Sequence, residues 1–241
     1  DLPVEDRERL LKIANGVVAP AEGELRDDAM QQMFAYLRPI IAERVANPGD
    51  DVFSKMVTGT HDGRPLSVDE MLGLAATILS GGLDTVAATL GYVARYLADN
   101  PQARRALREG SVSLSAAIEE LLRRYPPTTH GRQVIADTEF HGVQLRKNDH
   151  ITWMASMYNF DDAIFPDPMT VDFTRKRSAH MSFGSGIHFC VGSFLARMEL
   201  DVFIRCWLDK IPDFRVAEGT EVEYRPGINI AYEALPLTWN V

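Results

Sequence analysis

The chain has 241 residues, of which 46% are hydrophobic and 24% charged, a balance that supports a sizeable core and excludes a disordered, collagen-like or disulfide-stapled chain. Its formal charge of -9 argues against a general nucleic-acid or anionic-membrane binder. The only two cysteines, Cys190 and Cys206, are too few for a secreted disulfide framework, so neither is expected to be cross-linked and a reducing, cytoplasmic setting is expected.

No stretch approaches the roughly 18 to 20 apolar residues of a membrane span, since the best run, Met71 to Leu83, is broken by Ser80, Gly81 and Gly82. Asp28 to Ala46 carries apolar residues at helical spacing until Asn47-Pro48-Gly49 stops it. Ser67 and Glu70 form a capping box that opens a helix running to about Ala98, far longer than an average one. Asn100-Pro101 opens the next helix, which ends at Gly110, and Ser115 opens another that Pro126-Pro127 terminates. Short strands follow at Gln133 to Ala136, Val143 to Leu145 and Ile151 to Met154, with turns at His141-Gly142 and Asn148-Asp149. A Pro-rich irregular stretch from Phe165, a Gly-rich loop, a helix from about Gly192 to Lys210 and a β-like C-terminus complete the chain. The class is mainly α with small β-sheets, without repeats or a long linker.

Phe183, Gly184, Gly186, His188, Cys190 and Gly192 lie on a Gly-rich loop that delivers one cysteine to the start of a helix. A thiolate there is favoured by backbone N–H groups and the positive helix end, and the glycines permit close approach to a flat or bulky group. Alone, Cys190 also reads as a small buried hydrophobe in a tight turn. The ordered pattern Phe-x-x-Gly-x-His-x-Cys-x-Gly resembles the haem-binding loop of cytochrome P450 monooxygenases, whose cysteine is the axial iron ligand. Glu120 and Arg123 share a helix face at i,i+3 spacing, and Arg175 follows in the meander. This order resembles the family's E-x-x-R pair with its second arginine, which implies structural support of the haem core. Gly81, Gly82, Asp84 and Thr85 sit inside the long helix, where two glycines weaken the local helix. They also read as a small-residue helix contact, but they resemble the family's oxygen-activation motif. That implies an oxygen-binding groove at Gly81 and Gly82 and proton delivery by Asp84 and Thr85.

The resemblance is strongest to bacterial camphor 5-monooxygenase-type enzymes. It implies a partial cytochrome P450 fold, with residues 1–241 as the C-terminal part of a single haem domain. It further implies haem b with Cys190 as axial thiolate, and Arg132, His188 and His130 as propionate partners. Thr77, Ser80 and Thr128 are the candidate substrate pocket, aliphatic in the camphor enzymes, which shifts the expected substrate from camphor towards a small apolar terpenoid or norisoprenoid. The two electrons are expected from a [2Fe-2S] ferredoxin served by an FAD-containing reductase, with Arg177 and Arg197 as docking candidates. Cys206, with Val202 and Phe203 one turn back, is expected in the core. A haem-thiolate sensor or carrier and a peroxide-driven haem enzyme are the alternatives; neither needs the acid-alcohol pair at Asp84 and Thr85.

Overall fold

The structure is a computed structural model that describes all residues other than 1, 21, 22, 24, 177, 178, 240 and 241. It contains two compact units, Asp1–Thr85 and Val86–Val241. In the first, helix α1 (Arg7–Val18) packs on α2 (Arg26–Ala46), followed by α3 (Val52–Val57) and a short hairpin, β1 (Thr60–His61) and β2 (Arg64–Pro65). Leu10, Ile13, Met33, Leu37, Ile41 and Phe53 form its core, joined by Met71, Leu72, Ala75 and Ala76 from α4 (Val68–Asp99). The Tyr36 hydroxyl donates to Asp6 (2.9 Å), and burial together with this carboxylate pushes the phenol up to about 12.

The start of α4 is fixed by the expected capping box. Glu70 N–H donates to Ser67 Oγ (3.3 Å), while Ser67 N–H donates to Glu70 Oε2 (2.7 Å). Arg64 adds a bidentate pair to the same carboxylate (2.6 and 2.8 Å), which holds Glu70 well below the usual carboxylate range. By length and composition alone, α4 is apolar enough to cross a bilayer, with a mean hydropathy of 1.4 over an 18-residue window. This corrects the expectation that no stretch approaches such a length. Ser80, Gly81 and Gly82 break the strict apolar run without lowering the average of the Ala, Leu, Ile and Val around them.

The second unit takes Val93, Leu97 and Ala98 from the end of α4 into a core with Ile118, Leu121, Leu200, Ile204 and Phe214. Around it lie α5 (Pro101–Arg108), α6 (Leu114–Arg124) and α8 (Ser193–Lys210). Ser113, rather than Ser115, caps α6, because its side chain accepts the Ala116 N–H one turn in. Strand β3 (Thr129–Gln133) pairs antiparallel with β6 (His150–Met154), and β4 (Thr138–Phe140) forms a hairpin with β5 (Val143–Leu145). The hairpin turns at His141 and Gly142, at φ 49° and 81°. The expected strand at Gln133 to Ala136 therefore lies earlier in the chain. The extended backbone after Pro127 pairs at once, whereas Ile135, which suggested a strand by its β-branching, is almost fully exposed.

After the short helix α7 (Ala155–Asn159) and the Pro-rich meander, the chain passes through the Gly-rich loop into α8, whose N-cap is Gly192. Strands β7 (Phe214–Val216) and β10 (Leu237–Trp239) then pair, as do β8 (Glu223–Arg225) and β9 (Ala231–Ala234). Five two-stranded sheets amid eight α-helices among the described residues match the expected class. Cys190 and Cys206 are both free cysteines. Cys206 is exposed, not in the core as expected: Ile204 and Leu208 turn inward on α8, and position 206 falls on the other side.

Candidate functional site

In the second unit, the 181–192 loop is held from both ends. Cys190 N–H donates to Phe183 O (2.9 Å), closing the loop on itself, and Ser193 N–H donates to Cys190 O (3.2 Å) at the entry to α8. Gly184 and Gly186 adopt φ 68° and 65°, a left-handed backbone that other residues enter only with strain. A Cβ on Gly184 would come within 3.5 Å of His188 O and 4.0 Å of the His130 ring. The loop thus lies against β3. Cys190 is exposed, as are His188, which ends a 3-10 turn (Gly186–His188), and the neighbouring apolar side chains Phe189, Val191 and Phe194.

His130 and Arg132 share one face of β3 by the two-residue period of a strand. Both meet Trp153, the cross-strand partner of His130: the imidazole stacks on the indole (5.5 Å, 23°), and the Arg132 guanidinium carbon lies 5.1 Å from the ring centroid. Burial, reinforced by the Arg132 charge, lowers the His130 pKa and favours the neutral ring. Its Nε2 is buried without a hydrogen-bond partner among the described residues. Thr128 donates to Asn229 Oδ1 (2.9 Å), a buried residue of the turn between β8 and β9.

Glu120, Arg123 and Arg175 form one buried network. Arg123 donates to both Glu120 oxygens (2.9 Å each), Arg175 Nε approaches the same carboxylate at 3.1 and 3.2 Å, and Asp172 N–H adds a bond of 3.0 Å. The remaining arginine donors hold the meander by its carbonyls: Arg123 reaches Asn159, Pro168 and Thr170, and Arg175 reaches Pro166, Asp167 and Thr170. Burial would raise the Glu120 pKa, but Arg123, the Asp172 N–H and Arg175 outweigh it and lower it.

In the first unit, Gly81 and Gly82 lie on α4 with open space where a Cβ would project. Thr85 donates to Gly81 O (2.6 Å), Ser80 to Ala76 O (2.6 Å) and Thr77 to Gly73 O (2.8 Å), so each hydroxyl bonds back to the preceding helical turn. Asp84 is buried.

The cytochrome P450 family profile matches residues 20–225. The chain belongs to the cytochrome P450 family. It is 37% identical to the probable cytochrome P450 127A1 of Sinorhizobium fredii, over 90% of this chain and 52% of that protein. It is 35% identical to the steroid C26-monooxygenase of Mycolicibacterium smegmatis, over 93% of this chain and 58% of that protein. Among solved structures it resembles cytochrome P450 CYP101C1, with a TM-score of 0.88 and 40% identity, and CYP101J2, with 0.89 and 37%. Each match covers 100% of this chain, and 61% and 60% respectively of the other. The chain thus spans roughly half to six-tenths of the length of these relatives.

Cytochromes P450 bind haem b through an axial cysteine thiolate. The residues present fit that group: an exposed cysteine on a hydrogen-bonded loop, apolar side chains beside it, and His130 Nε2 buried and without a partner among the described residues, next to a cation. The docking candidate Arg177 lies outside the described residues. The other docking candidate, Arg197, has its guanidinium turned onto Glu119 and Phe183. Sequence reasoning missed Trp153, visible only once the strand register is known, and Asn159, whose fully buried amide holds Met181 N–H, Arg123 O and Ser182 Oγ. No local pattern marks Asn159.

Proposed function

We propose that residues 1–241 form the C-terminal part of a single haem domain of a monooxygenase, with Cys190 supplying the axial thiolate. The observation that carries the reading is the loop itself: Cys190 exposed on a turn closed by its own N–H, lying against a strand whose His130 Nε2 lacks a partner among the described residues. His130, Arg132 and His188 would hold the haem propionates, and Phe183, Gly184, Gly186 and Gly192 would shape the ligand loop. Trp153, against which both His130 and Arg132 lie, would orient the two toward the carboxylates. Glu120, Arg123 and Arg175 hold the meander that leads into the loop. Haem b, when bound, supplies the oxidising chemistry that activates dioxygen.

Gly81 and Gly82 leave the groove for dioxygen, and Asp84 with Thr85 carries the protons that the reaction consumes. The reaction inserts one oxygen atom into a C–H bond and reduces the other to water, using two electrons and two protons. The proposed electron donor is a [2Fe-2S] ferredoxin with an FAD-containing reductase, and the proposed location is the cytoplasm. The proposed substrate is a small apolar terpenoid or norisoprenoid bound near Thr77, Ser80 and Thr128. Such a ligand suits a pocket with few polar anchors.

The reduced protein from the full reading frame, exposed to carbon monoxide, tests this reading. A long-wavelength Soret band that Cys190→Ser abolishes is the expected result. A band at shorter wavelength in the folded parent protein would overturn the role of Cys190.

A further inference from the structure

The Glu120 network has a second charged cluster beside it on α6, and this one reaches the ligand loop. Glu119, one residue earlier on α6, accepts Arg197 Nε on Oε1 (2.5 Å) and Arg197 Nη2 on Oε2 (3.1 Å), and His180 Nε2 stands 3.3 Å from the latter oxygen. Arg197 Nη1 donates to Ser193 O (3.0 Å), the first residue of α8. The face of the same guanidinium covers the Phe183 ring, 4.5 Å from its centroid, and Phe183 in turn meets Phe189 edge-on (6.4 Å). Phe183 O is the acceptor for Cys190 N–H. One planar group therefore joins α6, the start of α8 and the residue whose carbonyl holds the cysteine backbone.

We infer that Arg197 is a positioning residue for the ligand loop: anchored on Glu119, its guanidinium plane fixes the Phe183 ring and thereby the carbonyl that holds Cys190. The inference rests on the reading of Cys190 as axial ligand. The surroundings favour it over a docking charge. Both donor edges of the fork are committed to Glu119 and Ser193, and the side chain is only 26% exposed. Burial would raise the Glu119 pKa, but His180 and Arg197 outweigh it and hold the carboxyl at about 2, so the anchor stays charged through the neutral range. A lysine could keep the ion pair but has no plane to lay on the ring.

The test is the persistence of thiolate ligation in the ferrous carbon monoxide complex of the full-length holoprotein, followed as the long-wavelength Soret band gives way to a shorter-wavelength one in mild denaturant. Losing a cation–π contact on a half-buried ring is expected to make Arg197→Met convert about tenfold faster than the parent. Arg197→Lys should fall nearer to Met than to the parent, and Phe183→Leu should add little in the Arg197→Met background. Arg205→Met, which breaks an exposed pair with Asp201 on the same helix, serves as the control and should match the parent. Far-UV dichroism recorded alongside separates a moved loop from general unfolding. Conversion of Arg197→Met or Arg197→Lys at the parent rate would overturn the inference, as would conversion that only tracks loss of helix. If Arg197→Met does not fold, the Lys variant and Glu119→Gln decide by the same readout. A parent protein without the long-wavelength band would instead refute the Cys190 reading, and the inference with it.

Discussion

Glu120→Ala removes the carboxylate at the centre of a buried ion network. Glu120 and Arg123 are 5% and 2% exposed, so neither can turn to water when its partner is lost. Removing the carboxylate takes two bonds of 2.9 Å from Arg123, the carboxylate contact of Arg175, and the acceptor of Asp172 N–H. Two guanidinium groups then face one vacated space. Stranding a buried charge in this way costs about 3–5 kcal/mol. In a domain of the length these relatives have, that corresponds to a fall in melting temperature of about 3–6 °C. Asp201→Ala is the matched control, because its pair with Arg205 (2.7 Å) is exposed and screened by water and so contributes little to stability. Thermal melts of the holoprotein, followed by far-UV dichroism and Soret absorbance, provide the measurement. The network argument fails if Glu120→Ala melts within about 2 °C of the parent, where the control should lie.

Thr85→Ala should leave substrate binding intact but raise the electrons consumed per product about tenfold or more, since a proton-positioning hydroxyl has been removed; coupled turnover would contradict the role of Thr85. His130→Phe keeps a ring on Trp153 and deletes only the nitrogens, so haem transfer to apomyoglobin should accelerate about tenfold, and an unchanged rate would exclude a propionate contact. Acid should also weaken the fold in a defined window. Glu119 is held at about 2 and Glu120 is lowered as well, so their contribution is complete above the ordinary value of 4.5 and is lost as pH falls from there towards 2. Urea midpoints measured across that range should fall with pH, and less steeply in Glu119→Gln; equal slopes would refute the linkage.

What the sequence made legible follows the range of the interactions involved. The Ser67–Glu70 capping box closes three residues apart, and the Glu120–Arg123 pair lies within one helical turn, so local spacing alone brings these groups together. The His141-Gly142 turn was readable for the same reason, because only a tight reversal uses two successive positive φ values. Strand β3 was placed too late because β-branching at Val134 and Ile135 is a local signal, whereas the pairing is decided by β6 some twenty residues on. The partners of Glu119 lie 61 and 78 positions away, and Asn159 bridges to Arg123 and Met181 across 36 and 22. No helical or strand period links such positions.

The same distinction of range separates the two charged clusters on α6. Glu120 is readable from its i,i+3 arginine, and its further contacts run to the meander, so its loss is felt as stability. Glu119 bonds His180 and Arg197, far away in sequence, and through Arg197 its cluster reaches Phe183 and the first turn of α8, which flank Cys190 on both sides. Neighbours in sequence point about 100° apart on a helix, so two adjacent acids serve two different surfaces. The acid that local spacing does not reveal is the one that bears on the geometry of the cysteine. A screen of α6 by melting temperature alone would rank Glu120 first and pass over Glu119, whereas ligand-state spectroscopy should separate Glu119 and Arg197 from every other ion pair on α6 and α8.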